Sequence, residues 1–167
     1  MFSGSLVALV TPFTDDNSVD YVSLNRLIEF HIDKGSDGLV IAGTTGESAT
    51  LARSEHVELV SRAVEIADGR LPIIAGTGSN STAQTVDLSA AVEDSGIDAY
   101  LIVVPYYNKP EQEGIYRHFS VIADAATKPI MLYNVPGRTV ADMLPETVAR
   151  LAEHGNIFGI KEATGDL

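Results

Sequence analysis

The chain has no cysteine among its 167 residues. That excludes a disulfide framework, a thiolate zinc site and a catalytic thiol. Basic residues are scarce: 11 Lys and Arg stand against 23 Asp and Glu, for a net charge of −12. Such a surface repels nucleic acid and anionic membrane, and no basic cluster makes a local exception. An anionic small substrate would have to find its positive groups within the site. Long apolar runs are missing as well. The opening MFSGSLVALVTPF has no basic leader and too short an apolar stretch for a signal peptide or a membrane span, so a cytoplasmic location is expected. The strand–helix pattern opens without GxGxxG after its first apolar run, which argues against a dinucleotide fold. The histidines, His31, His56, His118 and His154, show no metal-ligand or triad spacing; all are read as structural, within helical segments.

What is present is one unit used repeatedly. DKGSDGLVIAG, ADGRLPIIAG, DSGIDAYLIVV and EHGNIFGIK each run from a polar, helix-periodic segment through a glycine into a β-branched apolar run. Gly35, Gly69, Gly96 and Gly155 suit the position just past a helix end, where a left-handed backbone favours glycine. ATKPIMLYNV is a further copy with Pro129 as the stop. Leu24, Leu27, Ile28 and His31 or Ile32 form one helical stripe; Val57, Val60, Val64 and Ala67 form another. Pro145 suits a first helical turn. Strands are expected near 6–11, 38–42, 71–75, 100–104, 130–134 and 156–161, with little polar alternation, as in parallel sheets covered on both faces.

Repeated βα units leave a doubly wound sheet or a barrel open. Polar residues after successive strands favour the barrel: Thr11, GTTGE, GTGSN, PYYN, YNVPGR and KEAT. In a (β/α)8 barrel such loops converge on one mouth. The expectation is a single α/β domain over 1–167, a TIM barrel supplying about the first six βα units and incomplete at its C-terminal end.

GTTGE (43–47) offers glycine amides and threonine hydroxyls suited to a carboxylate, or simply a turn capping the next helix. It lacks the lysine of a P-loop. Tyr106 and Tyr107 follow the fourth strand and suit packing or an interface. Tyr133 ends the fifth strand, and a buried tyrosine hydroxyl seeks a partner. Arg138 could grip a carboxylate in two-pronged fashion, or simply be a surface arginine. Lys161 ends the apolar run NIFGI. Either the strand stops and Lys161 points into water, or burial lowers its pKa from about 10.4 and frees the amine to attack a carbonyl. A neighbouring tyrosine could then carry protons.

GTTGES, IAGTGSN, PYYNKPEQEG, LYNVPGRT and GIKEATGDL together resemble the dihydrodipicolinate synthase family of pyruvate-dependent class I aldolases, along the whole chain. The resemblance implies a Schiff-base lyase of lysine (diaminopimelate) biosynthesis that joins pyruvate to L-aspartate 4-semialdehyde without metal or organic cofactor. It implies Lys161 as the imine-forming lysine, and Tyr133, Thr44 and Tyr107 as a proton relay. Thr45 with Thr44 would hold the pyruvate carboxylate and Arg138 that of the second substrate. A homotetramer, built as a dimer of dimers, is implied, with Tyr107 reaching a neighbouring subunit. A lysine-regulatory site would involve Ser48, Ala49, His56, Asn80, Gln84 and Tyr106; Gln84 replaces a glutamate and Arg53 a common histidine of inhibited members. Alternatives within reach are an aldolase of the N-acetylneuraminate lyase kind and a non-catalytic keto-acid-binding relative or fragment.

Overall fold

The computed structural model describes residues 2–165. The chain divides into two compact units, one of Met1–Gly76 with Ala91–Asp98, the other of Thr77–Ala90 with Ala99–Leu167.

The first unit contains β1 (Leu6–Ala8), α1 (Tyr21–Asp33), β2 (Gly38–Ile41), α2 (Arg53–Ala67) and β3 (Ile73–Gly76). β2 pairs in parallel with β1 and with β3. Every residue of β2 and β3 is buried, which is why neither run alternates with polar residues. Asp20 starts α1 by accepting hydrogen bonds at 3.0 Å from the Val22 and Ser23 amides, a cap of about 1 kcal/mol. Leu24 and Ile28 of α1 and Leu59, Val60 and Ala63 of α2 are buried to 1% exposure or less. A fully buried Leu or Ile of this kind contributes about 1.5–3 kcal/mol.

α2 departs from the expected stripe. Its buried residues are His56, Leu59, Val60, Ala63 and Ala67, whereas Val57 and Val64 are only half-buried. The valines pulled the reading round the helix; the true face includes a histidine and small residues that carry little hydropathy. Nor does GTTGE cap α2. The cap is Ala52, whose amide donates to the Glu55 carboxylate at 3.0 Å.

α3 (Thr82–Glu93) leads from the second unit into the 91–98 segment. The second unit continues with β4 (Ala99–Val103), α4 (Gln112–Ala125), β5 (Ile130–Asn134), α5 (Pro136–Thr139), α6 (Pro145–Leu151) and β6 (Ile157–Glu162). β5 pairs in parallel with both β4 and β6. Pro145 opens α6 as expected. α4 buries Ile115, His118, Phe119 and Ile122. The His118 Nδ1 shares a 2.9 Å hydrogen bond with the Thr82 hydroxyl, and its Nε2 has no partner among the described residues. Burial pushes its pKa down to about 4.

Strand positions follow the apolar runs, with differences at the ends. β1 stops at Ala8, although the Leu9 amide still donates to the Val40 carbonyl at 3.0 Å. β3 begins after Pro72, whose missing amide cannot join the ladder. Gly35, Gly69 and Gly96 adopt positive φ as expected, while Gly155 does not. α6 ends earlier, at Leu151, with a right-handed cap at Ala152, so His154 lies beyond the helix rather than in it. Among the described residues no helix is long and apolar enough to cross a membrane.

Candidate functional site

β6 does not end at Ile160. It continues through Lys161 and Glu162, and Lys161 pairs with Tyr133 on β5. Residues paired across parallel strands point to the same face, so the Lys161 amine is carried over its neighbour's ring, 4.4 Å from the Tyr133 centroid. Tyr133 is buried, at 7% exposure, and Lys161 is half-buried. Desolvation holds the Lys161 pKa below the ordinary lysine range.

On the opposite face the next pair, Asn134 and Glu162, repeats the register. The Asn134 amide nitrogen donates to Glu162 Oε2 at 3.1 Å and to Asp142 Oδ1 at 2.8 Å, and its oxygen accepts from the Met143 amide at 3.1 Å. Burial raises the Glu162 pKa, but hydrogen bonds from Asn134 and Thr164 together outweigh it and keep the carboxyl below its usual range. Sequence reasoning passed over this trio. Its only signal was a polar residue following Tyr133 and another following Lys161, on strands otherwise apolar.

Arg138 lies on the short helix α5, exposed to solvent. Tyr107 follows β4 with φ of 74° and is 88% exposed. Tyr106 is half-buried, and its carbonyl accepts from the Asn80 side chain at 3.1 Å; Asn108 returns the link by donating to the Asn80 carbonyl at 2.9 Å. Gln84 accepts from the Ser79 hydroxyl at 3.0 Å. Asn80 and Tyr106 thus meet where two loops of the second unit adjoin, and Gln84 reaches the first of those loops from α3.

In the first unit, Thr44 and Thr45 are exposed on a loop tied by its own main chain. The Gly46 amide donates to the Gly43 carbonyl at 3.0 Å, the Glu47 amide donates to that of Thr44 at 3.1 Å, and the Thr11 hydroxyl donates to the Gly46 carbonyl at 2.7 Å. The loop leaves β2 through Ala42, whose φ is 52°. Gly76 lets the backbone pass, since a Cβ there would stand 2.4 Å from the Ala42 carbonyl oxygen. Ser48 and Ala49 continue the loop, half-buried and exposed respectively. Arg53, also exposed, opens α2. His56 is buried, its Nε2 bonded to the Gly76 carbonyl at 2.8 Å; burial lowers its pKa while that bond works the other way. Among the described residues no group of His, Cys, Asp or Glu is placed to hold a metal ion.

Comparison with known proteins decides the family, because residues 1–167 match the Dihydrodipicolinate synthetase family from end to end. The chain belongs to that family. It is 58% identical over its whole length to the 4-hydroxy-tetrahydrodipicolinate synthase of Pseudoalteromonas atlantica, covering 57% of that protein. It is 59% identical to that of Persephonella marina, again covering 57%. A crystal structure of the chloride-inhibited dihydrodipicolinate synthase from Acinetobacter baumannii complexed with pyruvate superposes with a TM-score of 0.98. That match has 51% identity and covers 99% of this chain and 57% of the other. The fold class expected of the dihydrodipicolinate synthetase family is therefore present: parallel βα units of a (β/α)8 barrel, of which this chain supplies about six. The chain spans little more than half the length of these relatives.

Proposed function

We propose that the protein carrying this chain is a 4-hydroxy-tetrahydrodipicolinate synthase, a lyase of lysine biosynthesis that condenses pyruvate with L-aspartate 4-semialdehyde. The observation that carries this reading is the Lys161–Tyr133 pair: an amine with a depressed pKa, half out of water, over a buried tyrosine in fixed register.

The chemistry follows from those two groups. The neutral Lys161 amine attacks the keto carbon of pyruvate, and the carbinolamine loses its hydroxyl as water to give an imine. That loss needs a proton delivered to oxygen, which the Tyr133 hydroxyl is suited to supply. Loss of a methyl proton turns the iminium into an enamine, which adds to the aldehyde carbon of the second substrate. Attack by that substrate's own amine on the imine carbon then releases Lys161 and closes the ring, with one water lost over the whole reaction. Thr44 and Tyr107 are assigned to the relay, Thr45 to the pyruvate carboxylate and Arg138 to the carboxylate of the aldehyde. The near-complete exposure of Tyr107 in a single chain supports a role completed by a second subunit of a homotetramer. Ser48, Ala49, His56, Asn80, Gln84 and Tyr106 are assigned to lysine regulation, and the cytoplasm to the protein's location.

The test is turnover by the purified protein of pyruvate with aspartate semialdehyde, against pyruvate with N-acetylmannosamine. Preference for the semialdehyde by on the order of 10³ or more in kcat/KM is expected. Preference for the amino sugar would make it an aldolase of the other kind, and no turnover with either would leave a binding protein.

A further inference from the structure

β6 carries one residue more than β5 needs. Ile130 pairs with Ile157, yet the next residue, Met131, pairs with Gly159, leaving Phe158 as the extra residue of a bulge. Beyond it the register is unbroken: Leu132 with Ile160, Tyr133 with Lys161, Asn134 with Glu162. A strand running regularly from the Ile130–Ile157 pair would place Lys161 opposite Asn134. Side chains alternate between faces, so that one-residue slip would turn Lys161 away from the Tyr133 ring. The bulge disrupts the ladder locally and puts a phenylalanine at 39% exposure, so the bulged register needs something to hold it.

Past the bulge, Asn134 and Glu162 meet only in the bulged register, because the regular one moves Glu162 a residue beyond Asn134. Asn134 is 1% exposed, and both ends of its amide are engaged, by Glu162 and Asp142 at one and Met143 at the other. On the far side, the Thr164 amide donates to Glu162 Oε1 at 2.9 Å. We propose that the Phe158 bulge and the Asn134–Glu162 clamp together set the register that brings the Lys161 amine to Tyr133, which makes Asn134 and Glu162 positioning residues of the site. For catalysis the proposal rests on the Schiff-base reading above; for register it stands alone.

Deleting Phe158 gives a sharp test, since a bulge-free strand lacking that residue pairs Lys161 with Tyr133 without help. Pyruvate is reduced onto the protein with borohydride, and the adduct on the Lys161 peptide is measured by mass. Glu162→Ala is expected to lower that adduct about tenfold or more. Glu162→Gln keeps an oxygen for the Asn134 amide and should stay within about twofold of the unmodified protein. Glu162→Ala with Phe158 deleted should recover to within about threefold. An adduct unchanged in Glu162→Ala, or not recovered in the folded deletion variant, overturns the proposal. An adduct missing from Lys161 in the unmodified protein sinks the Schiff-base reading instead.

Register can then be read without chemistry, and equally if Glu162→Ala fails to fold. The chain has no cysteine, and a Cβ at Gly159 meets nothing within 4 Å. The Met131 Cβ is thus farther from that position than the usual disulfide separation, so a short cross-linker that reacts with two thiols is the probe rather than direct oxidation. The Met131→Cys, Gly159→Cys pair should be bridged by it faster than the Met131→Cys, Phe158→Cys pair, whose second thiol sits on the extra residue of the bulge. The reverse result contradicts the bulged register.

Discussion

Two ways of anchoring a polar group can be compared, one from each unit. In the first unit, the Thr11 hydroxyl donates to the Gly46 carbonyl, His56 bonds the Gly76 carbonyl, and the Thr44–Thr45 loop is closed by its own amides, so main chain is the anchor at each. In the second unit, three pairings are between side chains: Asn134 links Glu162 with Asp142, Thr77 shares a hydrogen bond with Ser89, and His118 with Thr82. Main-chain anchors tolerate a change of side chain nearby, because the backbone groups remain. Side-chain anchors are lost when one partner changes, and the other is left buried with its desolvation uncompensated. Substitutions should therefore act more sharply at the side-chain pairs around Asn134, Ser89 and His118 than beside the main-chain anchors at Gly46 and Gly76.

The largest effect is expected at Tyr133. Tyr133→Phe keeps the ring under the Lys161 amine and removes only the hydroxyl, so turnover should fall on the order of 10²-fold or more while stability barely moves. Steady-state rates beside a thermal melt check this, and near-normal turnover in a folded variant would make the tyrosine a packing residue.

A smaller effect separates the two buried histidines. His118 has its pKa depressed to about 4, against about 6.5 when unfolded. The unfolded chain therefore binds more protons between those values, and stability falls as pH drops through that window. The loss between pH 7 and pH 5 comes to about 2 kcal/mol and levels off below about pH 4. His118→Phe should flatten that part of the pH profile of chemical denaturation. His56→Phe should flatten it less, because the Gly76 carbonyl opposes the effect of burial there. Equal flattening would erase the distinction between main-chain and side-chain anchoring.

The smallest effect concerns regulation. On the proposed regulatory assignment, Gln84 would offer a bound lysine no negative charge, and charge-assisted hydrogen bonds are roughly twice as strong as neutral ones. Gln84→Glu should tighten lysine inhibition about tenfold, equivalent to 1.4 kcal/mol. Strong submillimolar inhibition of the unmodified protein would show that Gln84 does not set the response.

Much of this was legible in the residues, for physical reasons that also mark where reading stopped. The buried strands announced themselves because β-branched runs covered on both faces cannot alternate. Gly35, Gly69 and Gly96 marked helix ends because a left-handed turn favours glycine. On α2 the expected stripe caught the buried Val60 and Ala67 but passed over Leu59, His56 and Ala63, because Val57 and Val64 drew it to one side of the buried face. Lys161 could be singled out by its odd place after an apolar run, but its face could not. That depends on the bulge at Phe158, which arises from pairing with a strand more than 20 residues away. Asn134 and Glu162 went unnoticed for the same reason, since their meaning lies in the register and not in either segment alone.

The account rests on Lys161 as the nucleophile, and borohydride trapping of pyruvate, followed by peptide mass across a pH series, tests it most directly. The reduced pyruvyl adduct should appear on the peptide containing Lys161, with a yield that rises to its plateau below the pH at which an ordinary lysine loses its proton. An adduct on Lys109 or Lys128 instead, or none on any lysine, would contradict it.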